Sequence, residues 1–307
     1  ANDVAKSAPV CAWSIQTGAQ RAKMGSKELD MTFNVTDLSP RIGSEVATSR
    51  EELLAGTHAE RIRQLLEQRG VLVFHNIGFS DDEMKHFATT LGEIEDGTTY
   101  QDKIFRVTFD PDYNPQGLTY LRGTFEWHVD RTDLDVPPLG SMLTPRVIAQ
   151  EGGQTEFANT YAAYDDLPEA EKRYLEGLMI EHRAEAAISR RVENPSEEQL
   201  AAWRKNPPKL HPLVWHHQSG RKSLLLGSTA CGVDGMELEE GNALLARLTE
   251  WTTQPQFVYR HEWQMGDLVV WDNTGTMHRA VPFDEQCGRR LHRVTLEGVE
   301  SVKAVAA

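Results

Sequence analysis

Two short motifs, far apart in this sequence, carry residues that could hold a metal. Trp127-His128-Val129-Asp130 sets an imidazole and a carboxylate two positions apart. On an extended backbone such positions project to one face, so both groups can reach one ion. Downstream, Gly266-Asp267-Leu268-Val269-Val270-Trp271-Asp272-Asn273 reads as a strand that turns and delivers Met277-His278-Arg279. Two histidines and one carboxylate on a triangular face leave three coordination positions open, which suits Fe(II) binding a bidentate ligand and dioxygen together. A lone His-x-Asp is more often a hydrogen-bonded surface pair. Among eleven histidines there is also a decoy, His58-Ala59-Glu60, in a helical pattern where positions i and i+2 diverge.

A second signal follows fifteen residues after His278 (293 − 278), in Arg289-Arg290-Leu291-His292-Arg293-Val294-Thr295. Leu291 and Arg293 share one face of an alternating strand, and an arginine turned toward a core needs an anion. A guanidinium fork matches a carboxylate in bidentate fashion. Two readings follow: a dicarboxylate that chelates iron at one end and finishes on Arg293, or an ion pair with one of the 46 acidic residues.

These groups need a scaffold. A helical stretch from Glu60 to Gln68 leads through Gly70 into the apolar strand Val71-Leu72-Val73-Phe74. Ser80 and Glu83 form a capping box for a helix with Met84, Phe87, Ala88 and Leu91 at helical spacing, stopped by Gly92. From about Lys103 onward, short β-like runs predominate: Gln154–Phe157, Ser223–Leu226, Phe257–Trp263, Leu268–Trp271 and Leu291–Leu296. The pattern is mainly β with helical insertions, a sandwich or jelly roll. The insertions follow Pro168 through Ile180, follow Ser196 with Gln199 completing a second capping box, and run from about Glu239 to Thr252. The polar section from Arg183 to Lys209 reads either as a lid over a site or as a surface excursion. Residues 1–30 show no sustained period and are expected to form a loosely ordered N-terminal arm, with residues 31–307 as a single domain.

Composition narrows the function. With 39% hydrophobic and 25% charged residues the chain is an ordinary globular protein. A net charge of −14 repels phosphate backbones and argues against a nucleic-acid substrate. Cys11, Cys231 and Cys287 are too few and too scattered for a disulfide framework or a cysteine zinc site, so a reducing cytoplasm is expected. No long apolar run predicts a membrane span, and a homo-oligomer is left open.

The sequence resembles the taurine and 2,4-dichlorophenoxyacetate dioxygenase family of iron and 2-oxoglutarate enzymes, from about Phe33 to Gly298. The resemblance lies in Gly70–Phe74, Trp127–Asp130, Glu151-Gly152-Gly153-Gln154-Thr155, His211-Pro212-Leu213-Val214, Ser219–Lys222, Trp271–Asn273 and Met277–Ala280. It implies a double-stranded β-helix (jelly roll) with flanking α-helices and iron on His128, Asp130 and His278. It also implies 2-oxoglutarate on Thr155, with Arg293 at its distal carboxylate and Arg289 near the metal end. The implied reaction hydroxylates a small organic acid using O2 and releases succinate and CO2. Because Asp130 is present, hydroxylation is implied rather than halogenation. Local similarity points to aryloxyalkanoates, and the small residues Gly227-Ser228-Thr229-Ala230 are expected to leave room for a ring. Taurine fits less well: Thr124 stands where the taurine enzymes carry Asn. Arg122, Lys103, Arg106, His216 and His217 are candidate anion handles. A sulfonate dioxygenase, a zinc hydrolase and a non-catalytic binding protein remain as alternatives.

Overall fold

Val71–Phe74 is buried on both faces and lies at the heart of the largest sheet, as its unbroken apolar run requires. The computed structural model describes residues 33–96, 101–115, 118–189, 192, 194–205 and 207–302. The expected N-terminal arm lies outside them. In chain order the strands are β1 (Asn34–Asp37), β2 (Ser44–Ala47), β3 (Val71–Phe74), β4 (Phe105–Val107), β5 (Gly140–Val147), β6 (Thr155–Asn159), β7 (Met179–His182), β8 (Lys209–Pro212), β9 (Val214–His216), β10 (Lys222–Leu224), β11 (Ala230–Val233), β12 (Val258–His261), β13 (Leu268–Asp272), β14 (Thr276–Ala280) and β15 (Arg290–Leu296). The helices are α1 (Arg50–Leu54), α2 (Ala59–Arg69), α3 (Asp81–Leu91), α4 (Leu118–Gly123), α5 (Thr160–Asp165), α6 (Glu169–Leu175), α7 (Ala184–Ser189), α8 (Glu197–Trp203) and α9 (Leu238–Thr252).

The large sheet runs β1-β2-β3-β13-β5-β15-β4, with β2 parallel to β3 and its other pairings antiparallel. A smaller sheet, β12-β6-β14, faces it. The space between them is filled by Val71, Val73, Leu143, Val269, Trp271 and Leu291 from the large sheet, with Phe157 and Trp263 opposite. The reverse face of the large sheet is covered by α2 and α3 through Ile62, Leu66, Met84, Phe87 and Leu91. Both strand faces are therefore apolar, and β13 reads as a continuous hydrophobic run rather than an alternation.

The local capping signals are realised. Ser80 and Glu83 close a reciprocal box on α3, and the Ser196 and Gln199 side chains each accept from the other's backbone amide at the start of α8. One helix is shorter than its pattern suggests. α6 stops at Leu175, and Met179–His182 is strand β7, pairing with β8 and β11. Gly177 weakens the helix there, and the ladder with the fully buried Ile180 wins over helical spacing. Likewise Phe257 ends a 3-10 turn, so β12 begins at Val258.

Candidate metal and co-substrate site

β14 brings His278 beside His128, and each backbone amide donates to the other's carbonyl, at 3.0 and 2.8 Å. The expected extended His-x-Asp segment is only partly realised. The ladder is one bridge long, and the chain turns at Asp130, with Arg131 at φ 57°. The clamp on Asp130 is Asn273. Its Oδ1 accepts from the Asp130 amide at 2.9 Å, and its Nδ2 donates to the carbonyls of Asp130 and Pro138, both at 3.1 Å. The sequence displays Asn273 inside a motif but gives no hint of these partners, which lie more than a hundred residues away.

Gly227 backs the other side of His128. Its φ is +126°, and a Cβ there would sit 3.0 Å from His128 Cα and 3.2 Å from the Trp127 carbonyl oxygen. The absence of a side chain at 227 thus serves close backbone approach to the site, while Ser228 and Thr229 of the same small-residue run line the neighbouring cavity.

Donor atoms of His128, Asp130 and His278 all lie within 4.8 Å of one another, the one such group among the described residues. His128 Nε2 is 3.8 Å from Asp130 Oδ1, and His278 Nε2 is 3.7 Å from Oδ2. Two donors about 2.1 Å from one ion need separations of roughly 3–3.6 Å, so a small inward adjustment suffices. Burial lowers the pKa of both imidazoles, that of His278 well below its ordinary value. Burial alone would raise the Asp130 carboxyl, but Arg293, His278 and His128 outweigh it and bring it to about 2. Two neutral imidazoles and one carboxylate are the protonation state that metal ligation requires. His128 Nδ1 lies 2.8 Å from the Glu126 carbonyl and, as donor there, leaves the Nε2 lone pair for a metal. The decoy His58 instead sits buried before α2, its Nε2 3.8 Å from Glu52.

Thr155, Arg289 and Arg293 line one cavity with these three ligands. Thr155 sits on β6 opposite Ala280 of β14, and its Oγ1 accepts the Trp263 indole N–H at 3.1 Å, leaving the hydroxyl proton free to donate. The two arginines have unlike surroundings. Arg293 Nη1 donates to Asp130 Oδ2 at 2.9 Å, so it belongs to the metal end. Arg289, 3% exposed, donates only to the Gly153 carbonyl, at 3.1 and 2.8 Å, and has no carboxylate partner among the described residues. Its Nη1 is buried without a partner, and burial lowers its pKa to about 10. A Cβ at Gly153, where φ is +75°, would lie 2.8 Å from Arg289 Nε, so this close seat needs glycine. The resemblance set Arg293 at the far carboxylate and Arg289 near the metal; here it is Arg293 that pairs with a metal-ligand candidate, while Arg289 meets no carboxylate among the described residues.

A second cavity of about 270 Å³ shares His128 and Thr124 with the first. Its wall includes Ala184, Ala187 and Ile188 of α7, so the polar section after Arg183 does border the site. None of the five candidate anion handles lines it. Arg122 pairs with Glu285, Lys103 with Asp96 and Arg106 with Asp102. His216 lies on the separate β9-β10 hairpin, and His217 is held by Ser223. Arg131 and Arg183 stand there instead.

Similarity to known proteins gives the family. The model of the taurine catabolism dioxygenase TauD, TfdA family matches residues 34–295. An alpha-ketoglutarate-dependent 2,4-dichlorophenoxyacetate dioxygenase from Burkholderia sp. (strain RASC) is 34% identical over 285 residues, covering 87% of this chain and 95% of that protein. Its counterpart from Cupriavidus pinatubonensis is 36% identical over 260 residues, covering 80% and 90%. An alpha-ketoglutarate-dependent sulfate ester dioxygenase from Pseudomonas putida is 30% identical, covering 87% and 90%. Among solved structures, AAD-2 in complex with Mn(II) and N-oxalylglycine superposes with a TM-score of 0.76 at 32% identity, covering 89% of this chain and all of that one. The facing sheets and outer helices are the jelly-roll core of these enzymes, and the chain belongs to the taurine catabolism dioxygenase TauD, TfdA family.

Proposed function

We propose that the chain is an Fe(II)- and 2-oxoglutarate-dependent dioxygenase that hydroxylates a small organic acid of the aryloxyalkanoate kind, releasing succinate and CO2. The observation that carries this reading is Arg289, a buried guanidinium with an unpartnered nitrogen, in the cavity that also holds the three metal ligands. A buried cation without an anion is costly unless a ligand supplies one. A zinc hydrolase on the same triad would leave Arg289 without a purpose.

His128, Asp130 and His278 would hold the iron. The iron, when bound, supplies the chelation of the keto acid and the redox chemistry with dioxygen. Arg289 and the Thr155 hydroxyl would take the distal carboxylate of 2-oxoglutarate, the reverse of the assignment that the resemblance implies. Arg293, already on Asp130, would balance negative charge at the metal end. Apolar Leu143, Trp271 and Leu291 wall the cavity and keep water from competing for these bonds. Of the substrate classes named for the relatives, phenoxy acids recur in the 2,4-dichlorophenoxyacetate and (S)-phenoxypropionate dioxygenases, and this favours an aryl ether acid here.

Anaerobic titration with Fe(II) and 2-oxoglutarate tests the reading. A visible charge-transfer band should grow to one equivalent of each. Retained zinc with no band would overturn the assignment. Substrate-dependent succinate release across aryloxyalkanoates, sulfonates and sulfate esters then tests the substrate class.

A further inference from the structure

The cavity beside His128 is lined by a histidine with one buried ring nitrogen that has no hydrogen-bond partner among the described residues. His182 ends β7 and is 2% exposed. Its Nδ1 lies 2.8 Å from Thr229 Oγ1, which in turn lies 2.9 Å from Thr132 Oγ1. Its Nε2 is buried without a partner. All three residues line the cavity. The cations on the same wall are already engaged: Arg131 reaches Glu95 at 3.0 Å and Asp133 at 3.1 Å, and Arg183 pairs with Glu181. Much of the remaining wall is apolar, with Val129 and the α7 residues Ala184, Ala187 and Ile188. At about 270 Å³ the space is at the small end of ordinary ligand pockets, enough for one ring.

We propose that His182 is a specificity-determining residue of the primary-substrate site, donating Nε2–H to an uncharged acceptor such as an ether oxygen while the apolar wall holds the ring. Thr132, Thr229 and His182 form a relay in which Thr229 donates to Nδ1 and keeps the proton on Nε2. Burial holds the imidazole down at about 3, so it is neutral throughout the working range and offers a dipole rather than a charge. A neutral donor left unmatched in a dry wall rejects a substrate that lacks the acceptor, because the buried N–H then stays unpaired. The inference rests on the proposed function for its substrate class.

The test compares 2,4-dichlorophenoxyacetate with 3-(2,4-dichlorophenyl)propanoate, in which a methylene replaces the ether oxygen, using the iron-loaded enzyme and 2-oxoglutarate. Wild type should favour the ether by about tenfold in kcat/KM, the scale of one unmatched neutral hydrogen bond. His182→Phe should erase that preference by raising KM for the ether alone, with 2-oxoglutarate affinity unchanged. His182→Gln, which keeps a donor, should recover part of it. Should the phenylalanine variant fail to fold, Thr229→Val reads the same prediction, since an untethered ring must also lose the preference. An unchanged ether preference in a folded variant, or none in wild type, overturns the role of His182. No succinate release with either compound in wild type overturns the substrate reading, and the inference falls with it.

Discussion

Replacing Arg289 by Met separates the two arginines and the two roles they would play. In the free protein the charge on Arg289 is a liability: burial lowers its pKa from 12.5 to about 10. At roughly 1.4 kcal/mol per pH unit, removing that charge returns about 3 kcal/mol. Against this stands the Gly153 carbonyl, which loses both donors and costs about 1–3 kcal/mol if left unsatisfied. The two effects nearly cancel, so Arg289→Met should melt within a few degrees of wild type in the absence of ligand. Its 2-oxoglutarate affinity should instead fall by about 2–5 kcal/mol, on the order of thirtyfold or more. At a concentration 100 times the wild-type Kd, 2-oxoglutarate stabilises wild type by about 2.7 kcal/mol; a thirtyfold weaker variant gains only about 0.9 kcal/mol. Isothermal titration and thermal melting with Mn(II) in place of iron measure both quantities without turnover. Pyruvate, which lacks the distal carboxylate, should bind wild type and variant alike. Arg293→Gln should behave oppositely: it strips the buried Asp130 of its charge partner and costs about 3 kcal/mol in the free protein. If Arg289→Met kept wild-type affinity for 2-oxoglutarate while Arg293→Gln lost it at unchanged stability, the exchange of roles argued from burial and pairing would be wrong.

His128→Ala, Asp130→Ala and His278→Ala should each lose iron, read as metal content after desalting, whereas His58→Ala should keep it; wild-type iron content in all three would sink the ligand assignment. Asn273→Leu removes the partners of the Asp130 amide and of two carbonyls, so it should cost about 3 kcal/mol or more in melting experiments and weaken iron binding. Unchanged stability there would mean that Asn273 is not the clamp. Asp272 carries the opposite pH sign from most carboxylates. Burial raises its pKa from 3.8 to about 6, despite bonds from Thr274 and Tyr161. The folded state then binds the extra proton, so its contribution is full below about pH 4 and is lost as pH rises through 6, about 3 kcal/mol in all. Asp272→Asn should therefore flatten wild type's loss of stability between pH 4 and 7, as followed by denaturant midpoints; an unchanged slope would refute the assignment.

How much of this was legible in the sequence depended on the range of the interaction. Capping boxes span four residues, and both Ser80 with Glu83 and Ser196 with Gln199 form as their spacing implies. Apolar runs such as Val71–Phe74 and Leu268–Trp271 announce strands buried on both faces, though not their neighbours in the sheet. The helix expected through Ile180 failed because the competing force was tertiary. β7 is held by ladders to β8 and β11, whose residues lie roughly thirty and fifty positions away, and no local pattern records them.

The same division runs through the site. Metal ligation demands particular atom types, so His128, Asp130 and His278 stand out by chemistry, and here they converge. Which arginine faces which end of a dicarboxylate is a matter of side-chain direction at two positions of one chain segment, and spacing alone gives no vector for it. Arg293 reaches Asp130 because β15 runs beside β5 and carries position 293 onto the cavity wall; Arg289 precedes the ladder and turns back onto Gly153. The substrate wall is less legible still. His182, Thr132 and Thr229 come from a strand end and two loops, and His182 reads as one histidine among eleven until the fold sets it beside the other two. Iron constrains its ligands tightly, whereas an apolar cavity can be lined in many ways by residues of ordinary type. Substitutions that alter substrate choice should therefore cluster on β7, α7 and the 227–230 turn, while those that abolish iron or 2-oxoglutarate binding should cluster at the start of β6, on β14, on residues 289–293 and on the segment around His128.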